Sequence, residues 1–154
     1  MKRSLATALA AALTLPAMAA GHDIRAGALH IDHPMAFATA PGTRAGGGYM
    51  TISNEGETDD ALIGVTADFP RVTLHRSVEE DGITRMEHVT RLDIPAGERV
   101  ELAPGGYHVM FMGLTEPLEA GTTIPATLVF AEAGDVEVVF HVEARGDDAA
   151  GHSH

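Results

Sequence analysis

Cysteine is absent from all 154 residues. That excludes disulfides, and it excludes every metal centre built on a thiolate, blue-copper electron carriers among them. Basic side chains are scarce as well: 10 Lys and Arg stand against 22 Asp and Glu, a formal net charge of −12. So acidic a chain argues against nucleic acid and anionic membrane surfaces as partners. Long apolar runs are confined to Leu5–Leu15, and no stretch beyond Ala19 carries the sustained period of an amphipathic helix. Neither a membrane-inserted segment nor a helical domain is therefore expected in the mature chain.

What the chain does contain begins with a targeting segment. Lys2 and Arg3 precede the Leu5–Leu15 run, and Pro16 leads into Ala17-Met18-Ala19, the small-residue spacing that signal peptidase reads. The run is too short to cross a bilayer as a stable helix. Residues 1–19 are thus expected to be a cleavable signal peptide, with export to the periplasm. Cutting after Ala19 leaves 135 residues, enough for one domain with a sizeable core. A cut after Ala20 is the alternative. No cysteine lies beside either cut, so no lipoprotein anchor is expected. Without Lys2 and Arg3, 8 basic side chains face 22 acidic ones, a formal charge of −14.

Beyond the signal segment, glycine and proline break the chain at short intervals, and the apolar residues between them alternate. Strands are expected near Leu29–Ile31, Gly47–Ser53, Ala61–Thr66, Arg71–Arg76, Ile83–Thr90, Arg99–Leu102, Tyr107–Leu114, Thr123–Phe130 and Val136–Glu143. Turns fall at Asn54-Glu55-Gly56, Glu80-Asp81-Gly82, Pro95-Ala96-Gly97, Pro104-Gly105-Gly106, Glu119-Ala120-Gly121 and Ala133-Gly134-Asp135. Many short strands between closely spaced turns indicate an all-β sandwich or barrel. One β domain over residues 20–144 is expected, followed by a flexible, acidic, His-bearing tail over 145–154.

Four side chains inside those strands offer donor atoms of one chemical kind. Ten residues separate His75 from Met86, twenty-one separate Met86 from His108, and Val109 alone separates His108 from Met110. Thioether sulfur is soft, neutral and weakly basic. Cu(I) accepts it where hard cations do not, and imidazole serves copper in either oxidation state. Strand alternation sets His108, Met110 and Met112 on one face and Tyr107, Val109 and Phe111 on the other. Likewise Thr73 and His75 oppose Val72 and Leu74, and Met86 shares a face with Thr84 and His88 while Ile83 and Val89 are assigned to the core. Each donor is thus expected on the face opposite the core. Spacing and phase alone leave two readings open, a copper site or methionines that merely pack.

The pattern His-x10-Met-x21-His-x-Met resembles the PCuAC family of periplasmic copper chaperones. Gly105-Gly106-Tyr107 precedes the second His of the motif, and Met110-Phe111-Met112-Gly113-Leu114 closes it. The resemblance extends to Gly46-Gly47-Gly48-Tyr49-Met50-Thr51-Ile52-Ser53-Asn54, to Leu118-Glu119-Ala120-Gly121 and to Thr127-Leu128-Val129-Phe130, and so covers roughly Ile24–Ala144. It implies a cupredoxin-like Greek-key β-barrel, with Cu(I) held by His75, Met86, His108 and Met110. It also implies transfer of the metal to a thiolate-bearing acceptor, such as the CuA centre of a respiratory oxidase subunit, or to another periplasmic copper chaperone. No substrate bond is made or broken, and a monomer is expected, with larger assemblies left open.

Further donors are auxiliary candidates. His152 and His154 resemble the His-bearing extensions of some family members and suit Cu(II) or a metal-gathering tail. A mature terminus Ala20-Gly21-His22 would wrap Cu(II) in amine, amide and imidazole nitrogens. Met112 is a spare thioether and His88 a neighbour of Met86. His30 and His33 lie near the first strand, and His141 is expected on solvated surface. Two other functions compete with copper delivery: a scavenger without a dedicated acceptor, and a metal-free adhesive β-sandwich. A copper oxidase is disfavoured, because no His-rich cluster appears and Gly21 precedes His22.

Overall fold

A computed structural model describes residues 23–146, and over them the regular structure is entirely β. Eleven strands form: β1 (Ile24–Ala26), β2 (Leu29–Phe37), β3 (Ala45–Asn54), β4 (Asp60–Ala67), β5 (Arg71–Glu80), β6 (Ile83–Val89), β7 (Leu92–Ile94), β8 (Arg99–Leu102), β9 (Tyr107–Met112), β10 (Thr123–Phe130) and β11 (Gly134–Glu143). They lie in the order β6-β5-β9-β8-β3-β2-β11-β10-β4-β7, with β1 beside β2 and β9 also paired to β3. The sheet curls into a nearly closed, cupredoxin-like Greek-key barrel. Pairing is antiparallel except between β2 and β11 and between β8 and β9.

Alternation determines which side chains fill the barrel. Along β10 the buried residues are Ile124, Ala126, Leu128 and Phe130, and along β11 they are Val136, Val138, Phe140 and Val142. Phe111 and Phe140 meet edge to face with ring centroids 5.4 Å apart, and Phe69 lies 5.2 Å from Phe111. Gly48 lies against that pair, where a Cβ would stand 2.9 Å from Phe111 and 3.0 Å from Phe140. Two buried polar side chains tie down the turns. Asn54 donates to the carbonyls of Thr58 and Ile94, and the Asp60 carboxylate accepts from the amides of Ala61, Glu132 and Ala133.

All nine expected strands form, with shifted ends. β1 and β7 are additions, and β2 runs six residues past Ile31, through an irregularity between Asp32 and Met35 where His33 takes φ 48°. Ile83 corrects the assignment made for it. It is 57% exposed, because the β5–β6 hairpin projects past the core and β6 is open on both faces up to Val89. His141 is partly buried in β11 rather than solvated.

The hairpin's turn is the element that aligns the donors. Asp81 and Gly82 take φ 52° and 75°, the pair of left-handed residues that a tight two-residue hairpin requires. Glu80 therefore faces Ile83, and the register carries through to Ser77↔Met86 and His75↔His88.

Candidate metal centre

Three adjacent strands, β9, β5 and β6, build the site. His75 on β5 stands directly opposite His108 on β9 and, on its other side, directly opposite His88 on β6. The three imidazoles make one row across the sheet, with ring centroids 5.9 Å apart on each side of His75. Thr73 faces Met110, and Ser77 faces Met86. With a side-chain period of two, Thr73, His75, Ser77, Thr84, Met86, His88, His108, Met110 and Met112 all share this face. The four expected donors therefore share one face, with Met110 one face position to one side of the imidazole row and Met86 one position to the other.

Exposure is uneven across the face. His108 lies opposite the core residues Val109 and Phe111 as expected, yet it is only 4% exposed, which corrects the outward position assigned to it. The Tyr49 ring lies 6.5 Å from it and 5.6 Å from Phe37. Tyr49 can lie there because its neighbour is glycine: a Cβ on Gly47 would stand 2.5 Å from the Tyr49 hydroxyl oxygen. Burial raises the pKa of that phenol, and nearby Arg145 partly offsets the rise. His75 and Met110 are half-buried, and Met86, on the edge strand, is 57% exposed.

Hydrogen bonds select which ring nitrogens remain available. His108 Nδ1 lies 3.1 Å from the Gly106 carbonyl, which can only accept, so Nδ1 carries the proton and Nε2 keeps its lone pair. His75 Nε2 lies 3.0 Å from the Thr73 hydroxyl, whose own proton points to Met112 sulfur at 3.9 Å. A hydroxyl that donates to sulfur accepts from the ring, which places the proton on Nε2 and bares Nδ1. Those two bare atoms, His75 Nδ1 and His108 Nε2, are the buried side-chain nitrogens left without a hydrogen-bond partner among the described residues. A buried polar atom without a partner costs about 1–3 kcal/mol, which a metal ion would offset. The pKa of His75 is lowered, first by burial and then by His108, His88 and Arg71, so the ring resists protonation. Neutral nitrogens beside neutral sulfurs fit a soft monovalent ion.

Thr73, Gly106 and Tyr49 act on the donors and were not singled out from the sequence. Thr73 was detectable, standing two residues before His75 and on the same face. Met112 joins the face through Thr73 rather than as an open donor. His22, His152 and His154 lie outside the described residues. Hard donors gather elsewhere: on β2 and the approach to β1, the ligand atoms of Asp23, His30 and Asp32 lie within 4.8 Å of one another. His33 Nε2 stands 2.9 Å from a Glu143 carboxylate oxygen.

The LpqE-like family model matches residues 29–142, from β2 through β11 and across all four donors. The chain belongs to this family. A relative named as a lipoprotein, Lxx21020 of Leifsonia xyli subsp. xyli, is 34% identical over 110 residues, 70% of this chain and 66% of its own length. Among solved structures, the copper-bound PCuAC domain from PmoF2 is 32% identical with a TM-score of 0.68, over 80% of this chain and 99% of that domain. The apo solution structure of DR1885 from Deinococcus radiodurans is 27% identical with a TM-score of 0.61, over 96% of this chain and 99% of that one. DR1885 has also been solved with Cu(I), at 27% identity and a TM-score of 0.60 over 81% of this chain and 83% of that one. This LpqE-like barrel is a PCuAC domain, as the motif implied.

Proposed function

We propose that this protein is an exported copper chaperone that binds one Cu(I) through His75, Met86, His108 and Met110 and passes it to an acceptor. The observation that carries the reading is the pair of buried, unpartnered nitrogens, His75 Nδ1 and His108 Nε2, on a face that also presents two thioethers. Copper-bound relatives of the same fold support it, and the lipoprotein relative supports export. Residues 1–19 serve as the signal peptide, residues 145–154 as the tail, and the periplasm is the destination.

The donor set suits delivery. Thioethers bind Cu(I) without the basicity of a thiolate, so an acceptor offering thiolates, such as the CuA centre of a respiratory oxidase subunit, wins the metal. Met86, the most exposed donor, leaves first and frees a coordination position for the incoming ligand. Every step is ligand exchange. His152, His154 and the terminus Ala20-Gly21-His22 serve as secondary Cu(II) donors.

A Cu(I) competition titration of the mature protein against a chromophoric chelator tests the site, with the Met86→Ala/Met110→Ala double variant alongside. Tight one-to-one binding is expected, weakened in the variant by more than about 1.4 kcal/mol, tenfold in Kd. Equal binding by both proteins would mean that the thioethers only pack. Copper transfer to a purified thiolate acceptor separates a chaperone from a scavenger, which would retain the metal.

A further inference from the structure

The face that carries the four donors holds a fifth donor residue that the Cu(I) site leaves unused. We propose that His88 is a third imidazole ligand, which lets this face hold Cu(II) through His75, His88 and His108. The inference rests on the copper reading above and deepens it, by giving the same site a second donor set for the other oxidation state.

Position comes first. His88 is not merely near the site: the hairpin register sets it directly opposite His75, as His108 is on the other side. Its ring centroid lies 5.9 Å from that of His75, the same separation as on the His108 side. The outer two imidazoles stand two strand spacings apart, about 10 Å between backbones. Two histidine side chains can span that gap with one metal between them, above the central ring. His88 is exposed, so its ring is free to turn inward. The charged residues beside it do not compete for the metal. Glu87 points to the opposite face, where its carboxylate pairs with Arg76 at 2.8 Å. On this face of β5, β6 and β9 the one carboxylate is Glu79, opposite Thr84 at the hairpin end and two face positions along β5 from His75.

Donor chemistry then separates the two oxidation states. Cu(II) favours nitrogen in a tetragonal arrangement and gains little from thioethers, whereas Cu(I) accepts both. Met86 and His88 occupy consecutive positions on this face of β6, so exchanging one for the other moves the fourth donor a single step along the edge strand. Three imidazoles, with solvent water completing the square, make a Cu(II) site from residues already in place. Each ion is supplied in its own oxidation state, and no electron transfer is involved.

The test uses the full mature protein with His22, His152 and His154 replaced by Gln, so that the secondary Cu(II) donors do not compete and the row itself is native. Its His88→Gln variant runs alongside, with copper supplied separately as Cu(II) and Cu(I). Pulsed electron paramagnetic resonance counts coordinated imidazoles, and competition titrations give both affinities. The expected result is three imidazoles on Cu(II) with the native row and two in His88→Gln, with the ratio of Cu(II) to Cu(I) affinity lowered about tenfold or more. In a His75→Gln background the same substitution should cost far less, because both rings serve one ion. Native imidazole count and affinity ratio in His88→Gln would overturn the proposal, as would a loss of equal size in the His75→Gln background. Should Cu(I) binding prove indifferent to Met86→Ala/Met110→Ala while His88→Gln still loses an imidazole, the thioether reading falls and the three-imidazole site stands.

Discussion

At the scale of the residue, the site depends on which nitrogen of each imidazole carries a proton, and two unremarkable groups decide it. The Gly106 carbonyl accepts from His108 Nδ1–H, and the Thr73 hydroxyl, which donates to Met112 sulfur, accepts from His75 Nε2–H. Both bare nitrogens are buried, so neither can turn to water for a substitute partner. Removing the hydroxyl while keeping the side chain's shape isolates this orienting effect from packing. Thr73→Val is expected to leave the fold intact and to weaken Cu(I) binding by about tenfold to a hundredfold, the usual effect of losing an orienting partner behind a metal-bound imidazole. A chelator competition titration reads it directly, and native affinity in the variant would show that Thr73 does not orient His75.

At the scale of the element, the β5–β6 hairpin converts a spacing along the chain into a face. Met86 stands on that face because Asp81 and Gly82 turn the chain in two residues, both left-handed. A β-branched residue at Gly82 resists that conformation by about 1–2 kcal/mol. The strain falls on a strand that is exposed on both faces until Val89. Gly82→Val should therefore weaken Cu(I) binding several-fold and barely shift the thermal midpoint, as a titration and a melting curve on one sample would show. The same hairpin marks the limit of what alternation can reveal. The parity of Met86, His88, His108 and Met110 was legible, because it needs only a count of two. Whether a face meets the core was not, so Ile83 was assigned inward while its strand overhangs the barrel. His108 was likewise placed outward, because the Tyr49 ring that lies beside it comes from β3, some sixty residues earlier in the chain. The three-residue strands β1 and β7 are too short to display a period, and the irregularity at His33 hid the second half of β2. Cross-strand register, which makes His88 a direct neighbour of His75, exists only once the turn is known.

At the scale of the whole molecule, an acidic protein keeps carboxylates away from the imidazole row: on the donor face of β5, β6 and β9 only Glu79 carries one, at the hairpin end. The formal net charge of −12 draws cations of every kind weakly. Selection then falls to a neutral patch of imidazole and thioether, which hard cations do not prefer. Keeping that patch neutral has a consequence for stability. Burial, His108, His88 and Arg71 lower the pKa of His75 below its ordinary 6.5. Above pH 6.5 the ring is neutral in both folded and unfolded chains and contributes no pH dependence. As pH falls through 6.5 the unfolded chain takes up a proton at this ring before the folded chain does, and the metal-free protein loses stability until the folded ring titrates in turn. The melting temperature of metal-free protein should therefore fall more steeply from pH 7 to pH 5 than that of His75→Gln, which has no such proton to take. At His75 a proton should therefore compete with Cu(I) only as pH passes the ring's own lowered value. Parallel melting slopes for the two proteins would mean that the folded environment does not disfavour the charged ring, and that proton competition at this site begins at the ordinary imidazole value.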